Sequence, residues 1–162
     1  MKHLVVYYSR TGTTKKVAQA LCNFLGSDIE EIAPMRKYSG LFGFFRAGYE
    51  ATRKKLPNIH EVKNNPSQYD VVILGTPVWG STLASPLRTY VSKYAEDFKK
   101  VSFFLTKGGE GQTRTFAELE GLCGKEPAAI LELRKQDVMN KEKFETESIQ
   151  KIENFLKRSF NR

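Results

Sequence analysis

The sequence has only two cysteines and two histidines among its 162 residues. Cys22 and Cys123 lie far apart in predicted helices, so the sequence predicts neither a disulfide framework nor a cysteine metal site. His3 and His60 are too few and too separated for a histidine metal site. We therefore expect no metal, and we expect the two thiols to be ordinary buried side chains.

The sequence also lacks any apolar run that approaches the length of a membrane span. The first predicted strand begins almost at Met1, which leaves no space for a signal peptide. Hydrophobic residues make up 40% of the chain. That content predicts one globular domain, residues 1–162, with a complete core. With no predicted membrane span or signal peptide, we expect a cytoplasmic location.

Acidic residues are the minority charge, with 18 Asp and Glu against 26 Lys and Arg and a net charge of +8. The excess is concentrated in residues 34–65, where seven Lys and Arg stand against two Glu. This basic, aromatic segment could suggest nucleic-acid binding. Its cations cluster at the segment ends instead of alternating with the aromatics, so we do not expect nucleic acid as a partner. An acidic protein surface fits the charge better.

The start of the chain carries the most informative motif. Residues 4–8 read as a buried strand, and from Thr14 onward apolar residues recur at helical spacing. Between them lies a loop of hydroxyl side chains around Gly12. The first amides of a helix have no partner within the helix and favour anions, and a glycine lets the backbone approach one. The alternative is an ordinary turn in which Thr13 caps the helix. Four hydroxyls within six residues favour a phosphate site, and they are Ser9, Thr11, Thr13 and Thr14.

The loop matches neither of the two common glycine-rich phosphate motifs. An ATP-type loop needs G-x-x-x-x-G-K-[ST], and a dinucleotide loop needs G-x-G-x-x-G. The residues present at 9, 11, 12 and 14 resemble the first loop of the flavodoxin family, [ST]-x-T-G-x-T, which binds the phosphate of FMN. The resemblance implies FMN as the cofactor, with its phosphate held by residues 9–14, Arg10 included.

Two further loops extend this resemblance. The segment Gly75-Thr-Pro-Val-Trp-Gly80, followed by Ser85-Pro-Leu-Arg-x-Tyr-Val91, resembles the ring-binding loop and third helix of small flavodoxin-like proteins. It implies that the flavin ring lies against Pro77, Val78, Trp79 and Gly80. Trp79 stands beside a glycine outside any periodic face, which suits stacking on a planar ligand.

The second ring loop of the family would fall at Thr106, Lys107, Gly108, Gly109 and Gly111. Many flavodoxins carry an aromatic side chain there, and this sequence has none. The outer face of the ring therefore has no predicted cover.

Alternation of strands and helices predicts an α/β doubly wound fold. The resemblance makes it a flavodoxin-like five-stranded parallel sheet in the order 2-1-3-4-5, with helices on both faces. Phe42, Phe45 and Tyr49 fall at helical spacing, so we predict a second helix over Phe42–Lys54 whose aromatics face the sheet and whose charges face solvent.

The sequence leaves three functions open. The first is a flavodoxin-like, FMN-binding electron-transfer protein, whose redox partners would dock near the flavin edge or on the basic 34–65 face. The second is an oxidoreductase, an NAD(P)H-dependent quinone or flavin reductase. The third is a flavin-free interaction module that uses the basic face. No residue is nominated as catalytic, because electron transfer needs no acid, base or nucleophile.

Overall fold

A computed structural model describes residues 1–160, and none of its helices is long and apolar enough to cross a membrane. Short 3₁₀ turns occupy Pro66–Gln68 and Ala95–Asp97, and a π-helical turn occupies Phe144–Ser148. The strands are β1 (His3–Tyr7), β2 (Asp28–Glu31), β3 (Val71–Trp79), β4 (Thr82–Leu83), β5 (Val101–Lys107) and β6 (Ile130–Arg134). The helices are α1 (Thr13–Leu25), α2 (Gly40–Thr52), α3 (Ser85–Tyr94), α4 (Gln112–Cys123), α5 (Lys135–Met139), α6 (Lys141–Lys143) and α7 (Ile149–Phe160).

Five strands form a parallel sheet in the order β2-β1-β3-β5-β6. The two-residue strand β4 pairs antiparallel with the end of β3 and lies off this path. Because β4 is additional, the predicted fourth and fifth strands correspond to β5 and β6. The predicted α/β fold and its strand order are thus confirmed.

The three central strands, β1, β3 and β5, are buried on both faces along most of their length, as their apolar runs predict, whereas the edge strands β2 and β6 have exposed residues. On one face, Leu74 belongs to a core that includes side chains of α3 and α4. On the other, Ile73 and Phe104 belong to a core that includes side chains of α1 and α7. The sheet is close-packed at its centre, because a Cβ added to Gly75 would lie 2.0 Å from Cζ of Phe104.

Several predicted boundaries differ from the observed ones. The apolar patterns predict strands over residues 28–33 and 70–76 and a last helix over about residues 141–158. The second strand ends at Glu31, and β3 continues to Trp79 because Pro77 and Val78 keep extended pairing with β5 and β4. The last helix is divided by the π-helical turn and follows a short helix, α5, that was not predicted.

The predicted orientation of the second helix is wrong. Phe42, Phe45 and Tyr49 are 91%, 64% and 58% exposed, while the buried face of α2 consists of Gly43, Ala47 and Ala51. Small residues at four-residue spacing let the helix approach its neighbours closely. A Cβ at Gly43 would lie 2.4 Å from the carbonyl carbon of Tyr38.

Candidate functional site

A cavity of about 660 Å³ opens beyond the carboxyl ends of β1, β3 and β5. This is the edge at which open parallel sheets bind ligands. Four segments and one lysine line it: Ser9, Arg10, Thr11, Thr13 and Thr14; Phe44, Phe45, Ala47, Gly48 and Tyr49; Pro77, Val78, Trp79 and Gly80; Thr106, Lys107, Gly108 and Gly109; and Lys135.

The structure brings together all predicted site residues except two glycines. Gly12 stands at the N-cap of α1 with φ 95°, a left-handed conformation suited to glycine. Gly111 stands at the N-cap of α4 with φ 117°, and a Cβ there would lie 2.6 Å from Cα of Ser81. Both glycines shape the loops around the cavity without lining it.

The hydroxyl loop reaches the cavity at the start of α1. The amide of Gly12 donates to Ser9 Oγ at 3.1 Å, and the Thr14 and Thr106 hydroxyls share a hydrogen bond of 2.7 Å. Thr13 does not cap the helix, because Gly12 takes that position. Thr13 Oγ1 is buried and has no hydrogen-bond partner among residues 1–160. The loop therefore holds an unpartnered hydroxyl beside a helix N-terminus, which a phosphate oxygen could satisfy.

Arg10 lines the cavity, but its hydrogen bonds go to the chain segment that leads into α2. Its Nε donates to the carbonyl of Tyr38 at 2.9 Å and its Nη2 to the carbonyl of Gly40 at 3.2 Å. Its guanidinium also lies 5.5 Å from the ring centre of Phe44. Arg10 thus joins the hydroxyl loop to α2.

Trp79 is the last residue of β3 and is held by two tyrosines. Its ring centre lies 5.1 Å from that of Tyr8 and 5.0 Å from that of Tyr38, both in edge-on geometry. Burial raises the pKa of Tyr8 and of Tyr38, and the Tyr38 hydroxyl donates to Glu50. The two tyrosines therefore stay neutral at physiological pH and fix the indole beside the cavity.

A tight turn follows Trp79 and links the site to α2. Gly80 and Ser81 have φ of 53° and 61°, the pair of positive values that a type I′ hairpin turn requires. A Cβ at Gly80 would lie 2.7 Å from Thr52 Oγ1 and 3.2 Å from the carbonyl oxygen of Gly48. Glycine at position 80 therefore allows α2 to pack directly against the turn.

The charged residues lining the cavity are all cations. They are Arg10, Lys107 and Lys135, and no Asp or Glu lines the described cavity. Lys107 is only 7% exposed, and its Nζ lies 3.7 Å from Glu132 Oε1. From the sequence we expect three cations, Arg10, Lys107 and Arg114, near the flavin. Arg114 instead lines a different groove beside Glu118, so the cations at the site are Arg10, Lys107 and Lys135.

Sequence reasoning missed Lys135 and the whole contribution of α2. Lys135 is the first residue of α5, a helix too short to show periodicity. For α2, a usable signal was present in the spacing of Gly43, Ala47 and Ala51. A helix face made of small residues four apart can pack against the rest of the protein, just as a face made of aromatic residues can.

Three solved structures illustrate what the chain is similar to. A flavoprotein in complex with FMN from Lactobacillus acidophilus NCFM has a TM-score of 0.69 at 22% identity, with 83% of this chain and 93% of that chain covered. A Bacteroides eggerthii DSM 20697 protein has a TM-score of 0.73 at 25% identity, with coverages of 96% and 98%. Oxidised Flavodoxin 1 from Bacillus cereus has a TM-score of 0.58 at 17% identity, with coverages of 97% and 98%.

A comparison with curated proteins found no match. The family model described as Flavodoxin matches residues 2–155, which is nearly the whole chain. This match agrees with the sheet order and with the position of the cavity. The chain belongs to the flavodoxin family.

Proposed function

We propose that this protein binds FMN and carries electrons between protein partners. The observation that carries the proposal is the cavity at the carboxyl edge of the sheet, which joins the hydroxyl loop to the Trp79 segment. The FMN complex of the Lactobacillus acidophilus flavoprotein, a protein of similar fold, supports the choice of cofactor. Bound FMN supplies the redox chemistry, and the chain supplies binding, orientation and electrostatics.

The phosphate end of FMN fits the hydroxyl loop. The first amides of α1 lack partners within the helix, and the helix dipole adds partial positive charge there. The unpartnered Thr13 hydroxyl gains an acceptor from a phosphate oxygen, and the bonded pair of Thr14 and Thr106 lies in the same wall. Neutral donors and backbone amides are the groups expected around a terminal phosphomonoester.

The ring end fits the opposite part of the cavity. Its volume of about 660 Å³ falls within the range of small-molecule sites, roughly 300–1,000 Å³. Pro77, Val78 and Trp79 present apolar and aromatic surface there, and Gly108 and Gly109 present backbone. The residues present therefore fit FMN at both ends.

The absorption spectrum tests the proposed cofactor directly. The purified protein, or the same sample after addition of FMN, is expected to show the two flavin bands in the near ultraviolet and blue. Flavin fluorescence should be quenched by Trp79. A colourless protein that does not bind added FMN would contradict the proposal. Salt-sensitive retention of that colourless protein on heparin would instead favour the flavin-free interaction module.

A reductase is the second candidate, and one observation favours it. Gly108 and Gly109 are exposed and offer no side chain to cover the ring, so a hydride donor or a quinone could approach from that side. Rapid reduction of the bound flavin by NADPH, with turnover of a quinone, would support the reductase. Reduction only by a protein donor would support the carrier.

Replacing Lys107 by glutamine is expected to make the flavin harder to reduce. A buried cation stabilises the negative charge that the flavin gains, by about 1–3 kcal/mol per unit charge at separations of about 5–15 Å and an effective dielectric constant of about 20. Glu132, which is half exposed, offsets part of this effect. Spectroelectrochemical titration measures the shift in potential.

Arg114→Gln is the matched control for Lys107→Gln. It removes the same charge from an exposed position in a different groove, where solvent screens it. A potential shift in Lys107→Gln no larger than that in Arg114→Gln would show that Lys107 does not set the potential.

The partners we propose are redox proteins with acidic surfaces. Arg36, Lys37, Arg53, Lys54 and Lys55 are exposed and flank α2, which borders the cavity. Complementary charge at such a surface speeds encounter and selects the partner. The cytoplasmic location stays a prediction from the sequence.

A further inference from the structure

Helix α2 presents aromatic side chains to the cavity. Phe44, Phe45 and Tyr49 line it and are 58%, 64% and 58% exposed. Phe45 and Tyr49 are four residues apart, so they lie one above the other on the same face of the helix. More than half of each side chain is left in water, so a planar ligand in the cavity could bury aromatic surface that the fold leaves uncovered.

The helix that carries these aromatics is held at both ends. At its start, Arg10 donates to the carbonyls of Tyr38 and Gly40. At its end, Arg88 Nη2 donates to the carbonyl of Ala51 at 3.2 Å, and Gly80 packs against Thr52. These contacts fix the helix relative to the cavity, so little ordering of the helix is needed when a ligand binds.

Among the described loops that line the cavity, only the Trp79 segment carries an aromatic side chain. Trp79 supplies an indole from β3, but the loop at Gly108 and Gly109 has no aromatic side chain. Isoalloxazine is a flat ring, and aromatic pairs stabilise such a ring in stacked or edge-on contact. Among the described residues that line the cavity, the remaining aromatic side chains all belong to α2.

We propose that Phe45 and Tyr49 form a second aromatic contact surface for the flavin ring, in place of the aromatic that the loop after β5 lacks. The inference rests on the proposed binding of FMN. Arg10 supports this surface by holding Phe44 and the start of α2 against the hydroxyl loop. Aromatic cover from α2 limits the approach of a hydride donor, which favours the electron carrier over the reductase.

Four variants test the proposal. Phe45→Ala and Tyr49→Ala remove the two rings, and Tyr49→Phe keeps a ring while removing the hydroxyl. Phe42→Ala is the matched control, because Phe42 lies on the same helix, is 91% exposed and does not line the cavity. The three side chains replaced are largely exposed, so the unfolding temperature of the four flavin-free variants should stay within about 3 °C of the wild type.

The measurement is the dissociation constant of FMN and of riboflavin by isothermal titration calorimetry on flavin-free protein. Phe45→Ala and Tyr49→Ala should each raise the dissociation constant by about 5- to 30-fold. The increase should be equal for the two ligands, because riboflavin has the same ring without the phosphate. Tyr49→Phe and Phe42→Ala should stay within about twofold of the wild type.

The outcomes separate this inference from the proposed function. If the wild type binds FMN and Phe45→Ala and Tyr49→Ala behave like Phe42→Ala, the aromatic surface on α2 does not contact the ring and the inference is wrong. If only FMN binding weakens and riboflavin binding does not, the variants act through the phosphate loop, which also overturns it. If the wild type binds no flavin, the proposed function fails first, and the inference fails with it.

Discussion

Replacing Arg88 by alanine is expected to lower the free energy of unfolding by about 3–5 kcal/mol. Arg88 is 2% exposed, and its Nε lies 2.8 Å from Glu118 Oε1. Its Nη2 also donates to the carbonyls of Leu83 and Ala51, at 3.0 and 3.2 Å. Removal of the guanidinium leaves a nearly buried carboxylate without its cation, and it takes one donor away from each of the carbonyls of Leu83 and Ala51. Chemical denaturation measures the loss.

An exposed ion pair provides the control for Arg88→Ala. Lys15 and Glu31 are paired at 2.8 Å, but their side chains are 45% and 42% exposed. Lys15→Ala should therefore change stability by less than about 1 kcal/mol. A double-mutant cycle with Glu118→Gln should show a coupling of about 0.5–3 kcal/mol. If Arg88→Ala and Lys15→Ala lowered the free energy of unfolding equally, the buried pair would contribute no more to stability than the exposed one.

The effect of Arg88→Ala should also depend on pH. Burial disfavours the charged form of Glu118, but hydrogen bonds from Arg88 and Thr82 outweigh this and hold the pKa of its carboxyl below the usual value. Because the pKa of Glu118 is lower in the folded protein than in the unfolded chain, its ionised carboxylate stabilises the fold at pH values above the usual carboxyl pKa. This contribution is lost as the pH falls through the pKa that Glu118 has in the folded protein. The difference in free energy of unfolding between the wild type and Arg88→Ala should be largest near pH 7 and should become smaller in acid.

Replacing Thr13 by valine is expected to weaken FMN binding by about 10- to 150-fold, without destabilising the flavin-free protein. A hydrogen bond to a charged group contributes about 1.5–3 kcal/mol. In the free protein the Thr13 hydroxyl is buried and has no hydrogen-bond partner among residues 1–160, so valine removes a buried polar group that those residues leave unpaired. Stability should stay equal or rise. Weaker FMN binding without any loss of stability distinguishes a hydroxyl that binds the ligand from one that stabilises the fold.

Riboflavin is the control ligand for Thr13→Val, because it lacks the phosphate. Its affinity for Thr13→Val should match that for the wild type, measured by the same titration calorimetry. Thr14→Val is the control variant, since the Thr14 hydroxyl is bonded to Thr106 and its loss should also reduce stability. A loss of riboflavin affinity equal to the loss of FMN affinity would contradict a phosphate role for Thr13.

The positions of the loops could be predicted because they depend on chain order. Apolar runs such as residues 71–74 form buried parallel strands, and the loops that follow them meet at one edge of the sheet. The hydroxyl loop and the Trp79 segment therefore lie together, although more than sixty residues separate them. By contrast, the Arg10 side chain is directed by the carbonyls of residues 38 and 40. These residues are far from Arg10 in the sequence, so the pattern of residues around Arg10 does not predict where they lie.

The sequence by itself determined the family and the place of the hydroxyl loop, because strand patterns and a short motif depend on neighbouring residues, and the strand order followed from the family resemblance. Only the tertiary structure decided which face of α2 is covered. Periodicity predicts that Phe45 and Tyr49 share a face and that Gly43, Ala47 and Ala51 share another, but not which one packs. Close approach of the helix to Tyr38 and Gly80 requires small residues, so the aromatic face is left toward the cavity.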